Sequence, residues 1–199
     1  MKVKPIKAAI LIAIFILLII NDTSFVKKKE TNILLLPSLP KPIAKEYVLI
    51  TSAGQNTDVY IINDIANKLM IHNYFMPQAE ESDLDAVSTI VFVVGYSELG
   101  EKLHGTSYEN EKRRISELLT KARQENLSVI TIFIGGKQQR GKQAEGLLRL
   151  VSLDTDYLIG TKEANSDGFL SELARNNKIP LTLINGVSDL SEPFASAFR

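Results

Sequence analysis

The chain contains no cysteine, and among its 199 residues there are two histidines. Without thiols there is no disulfide, no thiolate zinc site, no cysteine nucleophile and no lipid-modified N-terminal cysteine. His72 and His104 stand alone, neither with a partner at metal-ligand spacing. Several signatures are also missing: the Gly-x-Ser-x-Gly elbow, the Gly-x-x-x-x-Gly-Lys-Ser/Thr phosphate loop, the dinucleotide Gly-x-Gly-x-x-Gly, and the calcium-loop pattern. A Ser/His/Asp relay would have to join Ser52, His104 and an acid such as Asp58 through space. The acidic stretch with Glu80, Glu81, Asp83 and Asp85 reads as a solvated loop. Net charge is zero, but unevenly placed: residues 1–30 hold six Lys against Asp22 and Glu30. Subtracting these from 23 basic and 23 acidic residues leaves 17 and 21, a net of −4 for the rest. A body of that sign carries no footprint for nucleic acid.

What is present begins with an address. Lys2, Lys4 and Lys7 precede an unbroken apolar run over 8–20, followed by Asn21, Asp22 and the triplet Lys27, Lys28, Lys29. A basic start before such a run predicts a membrane-targeting helix over 1–29, either a signal anchor or a cleaved signal peptide. Thirteen residues at about 1.5 Å each reach roughly 20 Å, short of a hydrocarbon core of about 30 Å. No small-x-small cleavage site follows Ile20, which favours an anchor. The N-terminal lysines place the start in the cytoplasm and send the body across the membrane. The expected location is therefore membrane-anchored with an extracytoplasmic body, or secreted if the segment is removed. A membrane-protein partner is compatible with that placement. Residues 30–46, with Pro37, Pro40 and Pro42, read as an extended tether; 33–36 have the composition to lie against the body as an edge segment.

The remainder, 47–199, is long enough for one α/β domain. Apolar strand runs at 47–50, 89–94, 128–134, 157–159 and 180–184, with a weaker one at 73–76, alternate with helical patterns carrying Val59, Ile62, Ala66, then Ile115, Leu118, then Leu147, Leu148, then Leu170, Leu173. Thr106 and Glu109 have the spacing of a capping box. Strands alternating with helices demand crossovers, hence a doubly wound parallel sheet of five or six strands, Rossmann-like and in flavodoxin-like order. In such sheets ligands sit outside the carboxyl ends of the strands. Two loops there carry the chemistry. The first, at the end of the leading strand, offers Thr51, Ser52, Gly54, Gln55, Asn56, Thr57 and Asp58 beside a helix N-terminus, which attracts anions; Asn56 or Thr57 also serves as a helix cap. The second, Gly136, Lys137 and Arg140 in a glycine-rich loop, has cations suited to carboxylate or phosphate.

Thr51-Ser52-Ala53-Gly54-Gln55 followed by Asp58, then Gly135-Gly136-Lys137 with Arg140-Gly141, Ser166-Asp167-Gly168-Phe169 and Ile179-Pro180-Leu181-Thr182, together with the apolar start, resemble a family of uncharacterised exported bacterial α/β domains. The resemblance spans about 44–194 and implies bacterial origin and an extracytoplasmic body; it implies no activity. The expected function is binding of a small anionic or polar ligand between the two loops. Two alternatives stand beside it: a flavodoxin-like electron carrier or small-molecule enzyme, with Tyr96 and Tyr108 flanking a flavin, and a structural interaction domain without a ligand. No cofactor is specified.

Overall fold

Six apolar runs become six parallel strands in the computed structural model, which describes residues 35–199. They are Val48–Ala53 (β1), Asn73–Phe75 (β2), Thr89–Val94 (β3), Ser128–Phe133 (β4), Tyr157–Thr161 (β5) and Leu181–Ile184 (β6). Their order in the sheet is β2-β1-β3-β4-β5-β6, every neighbouring pair parallel. The first five follow flavodoxin-like order, and β6 adds one strand beyond it. The expected membrane-targeting segment lies outside the described residues. Among those described, no helix is long and apolar enough to cross a membrane.

The helices are Asp58–Lys68 (α1), Glu98–His104 (α2), Tyr108–Gln124 (α3), Lys142–Val151 (α4), Phe169–Asn177 (α5) and Ser191–Ala195 (α6). Because strand side chains alternate in direction, Leu49 and Phe92 pack with Ile115 and Leu118 of α3, Leu147 of α4 and Leu170 of α5. Their neighbours Ile50 and Val91 pack on the other face with Val59 and Ile62 of α1 and Phe194 of α6. Covering both faces explains why β1 and β3 are buried along their whole length.

Three departures from expectation bear on the site, while the other strand ends differ by no more than two residues. β1 runs on to Ala53, so Thr51 and Ser52 belong to the strand and not to a turn, paired with Phe92 and Val93 of β3. The stretch after β3 contains α2, a short helix with none of its residues buried, which leaves no core-facing pattern in the sequence to read. The cap of α3 is Ser107, whose hydroxyl accepts from the Asn110 N–H at 3.3 Å; Thr106 lies one residue too early.

The stretch expected as a tether is, from Leu35 onward, a strap packed on the body. Leu35 bridges Leu181 in parallel, and the Leu36 N–H donates to the Leu181 carbonyl at 2.9 Å. The Thr182 hydroxyl donates to the Leu36 carbonyl at 2.9 Å and also meets the buried Tyr157 hydroxyl. Further along, the Leu39 N–H bonds the Ser196 hydroxyl, the Ala44 N–H the Ala197 carbonyl, and the Ser128 hydroxyl the Ile43 carbonyl. Pro37, Pro40 and Pro42 keep this segment extended while the amides of Leu36, Leu39, Ile43, Ala44 and Lys45 find partners.

Candidate functional site

An all-parallel sheet brings every strand's carboxyl end to one rim, and the crossover from β2 over β1 to β3 makes the gap between β1 and β3 its switch point. Here that gap is closed by backbone. Gly54 has φ +110°, and a Cβ on it would lie 1.9 Å from the Gly95 carbonyl oxygen. The polar groups expected to meet a ligand bond to one another instead. The buried Ser52 hydroxyl accepts from the Asn56 N–H at 3.0 Å and from its side-chain amide at 3.1 Å, while that amide also donates to the Val93 carbonyl. The Thr51 hydroxyl donates to the Pro77 carbonyl at 3.2 Å. Asn56 Oδ1 accepts from the Asp58 N–H, so Asn56 makes the turn into α1, and Thr57 makes no side-chain cap bond. Burial raises the Asp58 carboxyl above its ordinary range.

The second loop closes on its other neighbour. β3 stands between β1 and β4, so the loop after β4 meets the loop after β5. Arg140 is 6% exposed. Its guanidinium grips Asp167 through both terminal nitrogens, donates to the Ala164 carbonyl, reaches Glu145 at 3.2 Å and stacks 4.3 Å from the Phe169 ring centre. That contact holds the Asp167 carboxyl far below the usual carboxylate range. Lys137 lies 3.8 Å from the same carboxylate, and Gly136 is backed by Glu163. The expected anion clamp is thus an internal ion pair: the carboxylate that the guanidinium takes is the chain's own. Tyr96 and Tyr108 meet edge to face, 86° between planes, and do not form parallel walls for a flavin.

A cleft of about 760 Å³ does open on the same rim, on the α3 side of β1. Its floor is Gln55, 7% exposed, and Glu111, 1% exposed. Gln55 Nε2 donates to Glu111 Oε2 at 2.8 Å, and the Gly54 N–H donates to Glu111 Oε1 at 2.8 Å. Arg114, one turn on, completes the floor: Nε and Nη2 donate to the two Glu111 oxygens, Nη1 to the Ala79 carbonyl and the Thr51 hydroxyl, and Nη2 to the Ser52 carbonyl. Burial raises the Glu111 pKa, but the Arg114, Gly54 and Gln55 bonds outweigh it, and the net shift is downward. Gln55 Oε1 faces His104 Nδ1 at 2.7 Å, with Gln78 closing over both. Glu80, Glu81 and Ser82 form one wall, on and beside a 3₁₀ turn at Glu81–Leu84; Asn110, Arg113 and Glu117 of α3 form the other.

Of the residues singled out from the sequence, Gln55 lines this cleft. Glu111 and Arg114 are inconspicuous in the sequence because an i, i+3 pair on a charged helix looks like a solvated one. The signal that distinguishes Glu111 is its place in line with Ile115, Leu118 and Ala122, on the buried stripe of α3. No serine–histidine–acid relay exists among the described residues: Ser52 is held by Asn56, His104 meets Gln55 and Gln78, and His72 meets Glu46. Nor do the described residues contain a cluster able to hold a metal ion.

No curated protein matches the sequence. Solved structures similar to the chain include a point mutant of the esterase AlinE4 at 10% identity, covering 79% of this chain and 84% of that one, with a TM-score of 0.31. AlinE4 itself, described as an SGNH-hydrolase family esterase, is 9% identical over 74% of this chain and 79% of its own, with a TM-score of 0.29. Similarity at that level carries no argument about chemistry. The family model for a domain of unknown function, DUF6305, matches residues 45–198, and the chain belongs to that family.

Proposed function

We propose that this chain is an exported, membrane-tethered binding domain that takes a small polar molecule into the cleft between α3 and the 78–82 segment. One observation carries the reading: an open cleft on the ligand-bearing rim has a floor of two buried polar side chains, Gln55 and Glu111, fixed by Arg114 and by the Gly54 backbone. Buried polar groups held so completely resist collapse and present a preformed surface. The volume suits a drug-sized ligand or smaller. Export and tethering rest on the N-terminal apolar run and its lysines.

The test is a thermal-shift screen of the full-length protein in detergent against sugars, amino acids, amines, carboxylates and phosphates. The expected result is stabilisation by at least one class, removed by Asn110→Ala or Gln78→Ala, both exposed wall residues whose loss leaves the unliganded melting temperature unchanged. Absence of any shift, or a shift that survives both substitutions, refutes the reading.

A further inference from the structure

We infer that the cleft selects a small amine, a primary ammonium or guanidinium compound, over anions and over neutral solutes; the inference rests on the binding function proposed above. The cleft is lined by four carboxylates, Glu80, Glu81, Glu111 and Glu117, against the guanidinium groups of Arg113 and Arg114, a formal balance of −2. How those charges are used matters more than their number. Arg114 has five N–H groups, and five acceptors take them: both oxygens of Glu111, the Ser52 and Ala79 carbonyls and the Thr51 hydroxyl. It therefore cancels the charge of Glu111 and offers nothing to an incoming anion. Arg113 sits on the α3 wall with its side chain 71% exposed, 3.9 Å from the Glu117 carboxylate. Glu80 and Glu81 on the facing wall make no ion pair among the described residues.

An ammonium group entering between the walls thus meets carboxylates on both sides. At the bottom lies Gln55, its amide nitrogen held by Glu111 and its carbonyl oxygen covered by His104 and by Gln78; an amine reaches that oxygen by displacing the long Gln78 contact of 3.4 Å. Amines donate hydrogen bonds and the site is rich in acceptors, so charge and donor pattern agree. A phosphate or carboxylate would meet one cationic side chain open to it, Arg113, already beside Glu117, and would have to displace the internal bonds of Arg114 to gain a second.

The experiment is isothermal titration of the full-length protein in detergent with spermidine, inorganic phosphate and maltose at low salt. Spermidine is expected to bind, the other two not at the same concentrations, and raising salt to about 0.5 M is expected to weaken spermidine binding several-fold as screening shortens the reach of the walls. Glu81→Gln and Glu117→Gln should each weaken it roughly threefold, the range of an exposed charge pair, while Glu172→Gln on α5 leaves it unchanged. Equal losses from Glu172→Gln and Glu81→Gln would mean diffuse attraction to an acidic surface and would overturn the inference. Binding of phosphate or maltose in place of spermidine, sensitive to Asn110→Ala, overturns amine selectivity while leaving the cleft in use. Silence from all three probes overturns it as well, and the wider thermal-shift screen then decides the fate of the binding function itself.

Discussion

Replacing Glu111 with alanine tests the floor of the cleft directly. The carboxylate accepts four hydrogen bonds, from Gly54, Gln55 and twice from Arg114. Its removal leaves the Arg114 guanidinium, 15% exposed at the side chain, without its counter-charge, and leaves the buried Gly54 N–H without an acceptor. Breaking a buried ion pair from one side costs about 3–5 kcal/mol, largely because the surviving charge stays desolvated. With a urea dependence of about 2 kcal/mol per molar, the midpoint should fall by about 2 M. Removing both charges, as Glu111→Leu with Arg114→Met, should cost clearly less than the sum of the single changes, because no lone charge is left behind. A pH series supplies the sign. The folded pKa of Glu111 lies below its ordinary 4.5, so the stabilisation is complete above that pH and is lost as pH falls through the lower folded value. In Glu111→Ala that part of the acid sensitivity disappears. A loss below about 1 kcal/mol by urea titration, or single changes that add without coupling, would refute the account of the floor.

Further outcomes follow from the same contacts. Gly54→Ala puts a methyl group against the Gly95 carbonyl at a φ that L-residues avoid, so it should cost at least about 3 kcal/mol and register as a large drop in melting temperature. Arg140→Ala should destabilise by about 2 kcal/mol by orphaning the Ala164 carbonyl, yet leave ligand affinity unchanged, since the side chain is turned to the loop after β5. Leu39→Ala should cost about 2 kcal/mol and speed amide exchange at Leu36 and Ala44, detaching the strap before the sheet opens; exchange at unchanged rates would show the strap is not held by that side chain.

The architecture was readable because alternation of strand and helix periods leaves few topologies. The run from Thr89 to Val94 coincides with β3 residue for residue, since a strand covered on both faces announces itself by continuous hydrophobicity. Side-chain partners were harder to see. Thr51 and Ser52 looked like turn residues because hydroxyls favour turns, but at the end of a buried strand they bond Pro77 and Asn56 and stay inside. Arg140 looked like an anion ligand because its loop sits on the right rim; Asp167, 27 residues later, folds back to it, and no local pattern encodes that pairing. The cleft itself depends on α2 and on Gln78 and Glu80, which come from segments without amphipathic signal.

The two flanks of the sheet are treated differently. β6 is sealed by Leu35 and Leu36, whose backbone occupies the positions a visiting strand would need. β2, three residues long, carries Tyr74 partly in solvent, with Met76 just beyond its end likewise, and has no such cover among the described residues. Lateral growth of this sheet, by lattice contact or by misassembly, is therefore polarised: it can start from β2, while β6 is blocked as long as the strap stays seated.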